Sequence, residues 1–455
     1  MITKASEEQC KFEVEEIEKL FSLSVESKEN KAFSISTDSR NIESNQIFLP
    51  LVGENFDGHD FINQVFEKGI EYSFCEKIKT NKTNEKYKNR LLVIENSLEA
   101  YHKIANQYRK KINPKVITIT GSSGKTTVKE LISTVLMQKF KVHKTEKNFN
   151  NEFGVPKTIL EMSKETQILI LELAMRGKGQ IRQLSKVSEP DIAIVTNISS
   201  AHIGILGSLK EIIEAKCEIF EHIKKEGTAF LVNDPALVEC AKNVIGSKST
   251  KIVLFQNAEA TNIKFKEGKT FFSFSGEDYC INAMGKAHIL NAILAIKVSK
   301  LLGLTKDEIN KGFMEFKIPS GRGNVINLSE DKFLIDESYN ANPDSVKAAV
   351  SNLVDCWDKK YKKILVLGEL AELGQHENRL LNELKQWLSV QPITSVITLG
   401  NQLKGTITGS NVINVNDLES CCNALKQSFL NKSVLLVKGS HVAGLEKVIE
   451  CLNKQ

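Results

Sequence analysis

Residues 116–136 read VITITGSSGKTTVKELISTVL. The opening VITIT is rich in β-branched residues and stops at Gly121, which marks a short buried strand. From Thr126 to Gln138 the chain reads as a helix. Between the two lies Gly121-Ser122-Ser123-Gly124-Lys125-Thr126-Thr127. The glycines let the backbone turn tightly enough for its N–H groups to face an anion, and the helix N-terminus adds its dipole. Lys125 can neutralise charge on β- and γ-phosphates, and the Thr126 hydroxyl can ligate Mg²⁺. The commoner loop, GxxxxGK[ST], has a glycine where this chain has Ile119, so this is the shorter GxxGKT form. A Gly-Ser turn before a basic helix is the plainer alternative. The order strand, loop, Lys-Thr, helix favours the nucleotide loop.

Working outward, TQILILELA (166–174) and DIAIVTNIS (191–199) read as two further strands. Helical patterns cover 178–188 and 208–225. Strand–helix alternation of this kind implies a parallel sheet covered on both faces. Glu172 ends one strand and His202 follows the other, at the strand ends where open α/β sheets bind ligands. A carboxylate there can hold Mg²⁺, and a neutral imidazole can hold a second ion. Taken alone, Glu172 divides evenly between ligand and structural carboxylate, and His202 reads first as a satisfied loop histidine. AHILNAILAIKVSKLLG (287–303) is a strongly apolar helix closed by Gly303.

Upstream, QIFLPLV (46–52) and RLLVIE (90–95) read as strands, 60–68 and 97–111 as helices, and the polar stretch 79–89 as a loop. Downstream, IPSGRGN (318–324) is a Pro/Gly break. Beyond it FLIDES, KKILVLGEL, SVITLG, VINV and SVLLVKGS alternate with helices, a second open α/β unit. The expected fold class is α/β in three domains. These are a small mixed α/β N-terminal domain (1–112), a central P-loop ATPase domain with a mainly parallel sheet (113–318), and a C-terminal Rossmann-like domain (319–455).

Composition excludes more than it assigns. The chain has 455 residues, 41% hydrophobic and 26% charged, enough for a large core without staples. A net charge of +5, dispersed, argues for neither a nucleic-acid nor a membrane partner. Nine scattered cysteines with no CxxC pair fit a reducing cytoplasm and no zinc knuckle. The first twenty residues hold no apolar core of a signal peptide, and no run of about 18 apolar residues appears.

Taken in order, TGSSGKTTVKE (120–130), NFNNEFGVPKTIL (148–160), LELAMRGKGQI (171–181), NISSAHIGILGSLKEIIEAKCEIF (197–220) and GKAHILNAILAI (285–296) resemble the Mur ligase superfamily of ATP-dependent amide-bond ligases nearly end to end. Within it, DESYNANPDS (336–345) and NFNNEFGVP are most similar to the members that add D-alanyl-D-alanine to UDP-N-acetylmuramoyl-tripeptide. The segment 36–62 resembles the UDP-sugar-binding domain shared with the MurE type. The resemblance implies ATP and two Mg²⁺ ions as cofactors. It implies an acyl-phosphate formed from the tripeptide carboxylate, and that nucleotide favours docking of the third domain. A monomer is expected. The third residue of the tripeptide, diaminopimelate or lysine, stays open.

Carried onto this chain, the resemblance gives Lys125 and the loop the ATP phosphates. Thr126 and Glu172 take one Mg²⁺. His202 takes a second, with Lys216 if that lysine is carbamylated by CO₂. On its residues alone Lys216 reads as a solvated helix lysine. Asn148 and Asn151 face the γ-phosphate and acyl group. Asn291 sits near the adenine, and Arg322 and Asp336 reach ATP from the third domain. Tyr339, Asn340 and Asn342 fall on the substrate side, or form a turn before Pro343. Ser39 and Arg40 are the candidates for the uridine diphosphate, since an arginine fork pairs with phosphate oxygens. Asp57, Gly58 and His59 form a neighbouring turn, plain surface or functional. Three places depart from the family pattern: Glu369 stands where an aspartate is usual, His441 where an arginine is usual, and the block after His202 is altered, reading IGILGS (203–208). The base that deprotonates the amine is not identified, with His376 an untested candidate. Rival readings are a MurE-type or folylpolyglutamate-type ligase, and a P-loop kinase.

Overall fold

Val116, Ile117 and Ile119 are fully buried, as a β-branched run between polar segments requires. They belong to a strand of a computed structural model that describes residues 10–23, 31–266, 268–405, 407–409, 411–430 and 432–453. Residues 1–9, part of the stretch in which no signal peptide was read, lie outside the described residues.

The N-terminal sheet comprises β1 (Phe12–Glu13), β2 (Ala32–Ser36), β3 (Gln46–Phe48), β4 (Ser73–Glu76) and β5 (Leu91–Ile94), in that order. β1 runs antiparallel to β2, and the remaining pairs are parallel. Phe48, Ile62, Val65, Phe66, Ile70 and Cys75 form its core on one side. The polar stretch expected as a loop is instead two 3₁₀ turns, Lys77–Lys82 and Glu85–Arg90. Asn63 fixes both by accepting from the Asn84 N–H and donating to the Lys82 carbonyl.

The second sheet holds β6 (Lys115–Thr120), β7 (Val142–Lys144), β8 (Ile168–Glu172), β9 (Ile192–Val195), β10 (Thr228–Val232) and β11 (Lys251–Phe255), ordered β11-β10-β9-β6-β8-β7. The pairs β7–β8, β9–β10 and β10–β11 are parallel. The helix expected over 208–225 is shorter. It runs Leu209–Cys217, capped by Ser208, and tightens into a 3₁₀ turn at Glu218–Phe220.

A three-stranded antiparallel meander follows: β12 (Ala260–Lys266), β13 (Lys269–Phe274) and β14 (Glu277–Ile281). The last sheet comprises β15 (Asn324–Ser329), β16 (Lys332–Glu337), β17 (Lys362–Leu367), β18 (Ser395–Leu399), β19 (Val412–Val415) and β20 (Ser433–Lys438), ordered β15-β16-β20-β17-β18-β19. All its pairs are parallel except the edge strand β15. Two cores cover its faces, one built on Val350, Leu365, Leu384 and Leu436, the other on Val366, Ile397, Leu425 and Leu435.

By backbone packing the chain divides into two compact units. The first holds 1–117, 141–173 and 183–190; the second holds 118–140, 174–182 and 191–455. No helix among the described residues is long and apolar enough to cross a membrane.

Candidate active site

In the second unit, the loop after β6 is held by the chain that leaves β9. Ser122 N–H donates to the Asn197 carbonyl at 3.1 Å. Ser123 N–H donates to Asn197 Oδ1 at 2.9 Å, and Asn197 Nδ2 returns a bond to Ser123 Oγ at 2.7 Å. Thr196 Oγ1 donates to the Ser123 carbonyl at 2.8 Å. Gly121, at φ +154°, lies so close that a Cβ there would stand 1.9 Å from Thr196 Oγ1. Gly124 opens the helix Lys125–Leu136 from a left-handed conformation, φ +76°. Thr127 is buried on that helix. Lys125 Nζ folds back onto the Gly121 carbonyl at 2.8 Å.

Beyond the same strand, His202 stands in left-handed backbone, φ +68°. Its Nδ1 lies 2.7 Å from Glu372 Oε2, a contact that is not aligned as a hydrogen bond. The imidazole holds the Glu372 carboxyl below the usual glutamate range, against the opposing effect of burial. Lys216 is 1% exposed, which overturns its reading as a solvated helix lysine. Burial holds its amine well below the usual lysine range; Lys125 pushes the same way and Glu372 opposes.

Asp336 is also buried, accepting from Gly321 N–H and from Ser338 N–H and Oγ. It therefore pins the break that carries Arg322. The Arg322 guanidinium lies 4.0 Å above the Tyr339 ring, and His441 stacks with that ring at 6.3 Å between centroids. His441 thus joins a stack rather than standing alone in the arginine position. Asn342 caps the helix Pro343–Cys356, accepting from Ser345 N–H at 2.9 Å, which is the turn-forming alternative. Asn340 bonds the next residue's N–H, while its carbonyl accepts from the buried Lys438. Asn291 is half-buried on the helix Lys286–Leu301. Glu369 turns toward the Gln402 N–H at 3.4 Å, a reach that the longer carboxylate allows. His376 donates from Nε2 to the Gly207 carbonyl at 3.2 Å.

In the first unit, Glu172 is 2% exposed and accepts from Asn150 Nδ2 at 2.9 Å. Asn151 Oδ1 caps the following turn through Phe153 and Gly154 N–H, and Asn148 lies in the same turn, its carbonyl accepting from Asn150 N–H. The Arg40 fork is occupied by Asp38, at 2.8 and 2.9 Å, and holds that carboxyl at about 2. Lys68 clamps the Ser39 and Arg40 carbonyls. His59 is 1% exposed, so Asp57-Gly58-His59 is not a plain surface turn. Its Nε2 accepts from Glu76 N–H, which leaves the proton on Nδ1, facing Asp57 at 2.7 Å.

Asn150, Asp344, Thr196, Asn197, Ser200 and Glu372 were not singled out from sequence. All sit inside motifs whose neighbours were. Their spacing alone carries no signal, because each acts across the fold. Among the described residues no group of three or more His, Cys, Asp or Glu side chains could hold a metal ion. Thr126 in the second unit and Glu172 in the first each offer the kind of oxygen that Mg²⁺ takes, an ion that binds one or two protein ligands and completes its shell with phosphates and water.

Three family models match the chain: "Mur ligase family, catalytic domain" over 33–109, "Mur ligase middle domain" over 119–299, and "Mur ligase, glutamate ligase domain" over 321–441. The UDP-N-acetylmuramoyl-tripeptide–D-alanyl-D-alanine ligase of Bacillus subtilis is 32% identical over 427 residues, covering 92% of each chain. A crystal structure of MurF from Acinetobacter baumannii superposes with a TM-score of 0.87 at 26% identity, covering 98% of this chain and 100% of the other. MurF from Thermotoga maritima, in complex with ADP, does so at 0.83 and 27%, covering 93% and 97%.

Proposed function

The chain belongs to the Mur ligase family, and from that premise we propose that it joins D-alanyl-D-alanine to UDP-N-acetylmuramoyl-tripeptide at the expense of ATP. The loop Gly121–Thr127, cradled by Thr196 and Asn197 with its lysine at the helix start, is the observation that carries the ATP half. The relatives' shared activity carries the substrate half. The matched segments support domains 1–112, 113–318 and 319–455 for the UDP-sugar, the ATP chemistry and the C-terminal closure.

The tripeptide carboxylate attacks the γ-phosphorus of ATP, the bond to the β-phosphate oxygen breaks, and ADP leaves. The amine of D-alanyl-D-alanine then attacks the acyl carbon, and inorganic phosphate departs with one carboxylate oxygen. The amine proton passes to a base or to water. The protein's part is alignment and neutralisation of crowded anions. Lys125 moves from the Gly121 carbonyl to the phosphates, and the loop N–H groups orient them. Thr126 and Glu172 would hold one Mg²⁺, and His202 with a carbamylated Lys216 a second. Bound there, Mg²⁺ supplies charge neutralisation. Burial lowers the amine pKa and so favours the neutral form, the one that CO₂ can carbamylate.

Asn291, Arg322 and Asp336 serve the nucleoside. Tyr339, Asn340 and Asn342 shape the substrate side. Arg40 must exchange Asp38 for a diphosphate if it is to bind one. We place the enzyme in the cytoplasm as a monomer, beside its soluble substrates. Phosphate release with each substrate omitted in turn is the test. Release that requires both, with a pentapeptide product by mass, is expected. Release indifferent to D-alanyl-D-alanine would point to another amino-acid ligase of the family.

A further inference from the structure

His202 holds a left-handed backbone, φ +68° and ψ +14°, which non-glycine residues keep only where their surroundings fix it. Apart from Ser199 N–H, which donates to Ser122 Oγ at 2.9 Å, its turn is held from one direction. Ser200 N–H and Oγ both donate to Asp344 Oδ2, at 2.8 and 2.7 Å. Gly204 N–H donates to the Glu372 carbonyl at 3.0 Å. The Glu372 carboxylate meets the imidazole itself. Gly204 and Gly374 pass back to back: a Cβ on Gly204 would stand 2.6 Å from the Glu372 carbonyl oxygen, and one on Gly374 2.7 Å from the Gly204 Cα. Ile203 is buried in the same apolar cluster as Leu370 and Leu373. Apart from the Ser199 bond, every one of these supports comes from residues 344–374, within the C-terminal ligase segment, whereas the turn itself belongs to the middle segment.

We propose that Asp344 and Glu372 are positioning residues for His202. Asp344 sets the backbone of its turn. Glu372 meets the ring at Nδ1 and so leaves Nε2 as the coordinating nitrogen. The His202 position is then complete only when the C-terminal segment is docked against the turn. This inference rests on the reading that His202 serves the reaction centre. Residues that orient a ligating histidine change metal affinity or activity by about 10–100-fold when removed.

The test compares His202→Ala, Glu372→Ala, Asp344→Ala, Glu372→Gln and Glu372→Met in the full-length enzyme. Steady-state kinetics are read beside direct Mn²⁺ titration by electron paramagnetic resonance with ADP present, and beside thermal melting. Glu372→Ala and Asp344→Ala are expected to lower kcat and weaken Mn²⁺ binding by ~10–100-fold. KM for ATP should change less than kcat, since Asp344 bonds Ser200 and Glu372 meets His202. Glu372→Gln keeps a polar oxygen beside Nδ1 and should recover part of both losses, whereas Glu372→Met, which fills similar space without one, should not, the opposite of what a packing role predicts. If Glu372→Ala no longer melts cooperatively, Glu372→Gln and Asp344→Ala carry the comparison. Loss of kcat and Mn²⁺ binding in His202→Ala but in neither partner variant overturns the positioning role alone. No loss in His202→Ala overturns the reading beneath it as well.

Discussion

At Gly121 the chain tolerates no side chain, because Thr196 Oγ1 occupies the place of a Cβ. Gly121→Ala should therefore lower stability by about 1–3 kcal/mol, measured by denaturant unfolding, and abolish nucleotide binding along with it. Lys216 marks the limit of reading residues singly. Lysines are exposed by default, and only packing shows this one sealed beneath the site with a depressed amine pKa. If that amine is carbamylated, enzyme stripped of CO₂ should lose activity and regain it on addition of bicarbonate. Lys216→Ala, by contrast, should show no bicarbonate response in the same assay. The phosphate loop was legible because its chemistry is local to seven consecutive residues. Glu372 and Asp344 were not, because their partners lie 170 and 144 positions away.

Among the elements, the β-branched runs behind β6, β8, β9, β17, β18 and β20 were readable because buried parallel strands are apolar throughout. The meander β12–β14 was not: its first strand is mostly exposed and its apolar positions are spread among charges. The helix Pro343–Cys356 has a readable start in Asn342-Pro343, and the structure gives Asn342 a cap with Ser345. Asn342→Ala should cost about 1 kcal/mol in unfolding experiments through loss of that cap. If Asn342 also meets substrate, kcat/KM at 25 °C will fall by tenfold or more (about 1.4 kcal/mol at the transition state), although the variant remains folded. A kcat/KM near wild type would leave the side chain a cap alone.

For the whole molecule, four histidines share one electrostatic character. Burial lowers the pKa of His59, His102, His143 and His288 below the usual imidazole value. The unfolded chain protonates these rings as pH falls through about 6.5 while the folded chain resists. Their stabilising effect is thus complete above that pH and declines as pH falls toward the folded values. Melting temperature should drop between pH 7 and 5, and His143→Gln should flatten the slope. A flat profile in the wild type would contradict this. Fold class was legible end to end, since strand–helix alternation is a long-range pattern carried by many residues. The proposed route requires that the tripeptide carboxylate be phosphorylated before the peptide bond forms. It is tested most directly with tripeptide labelled by ¹⁸O in its reacting carboxylate. One ¹⁸O should appear in the released phosphate for each pentapeptide made; unlabelled phosphate would contradict the acyl-phosphate route.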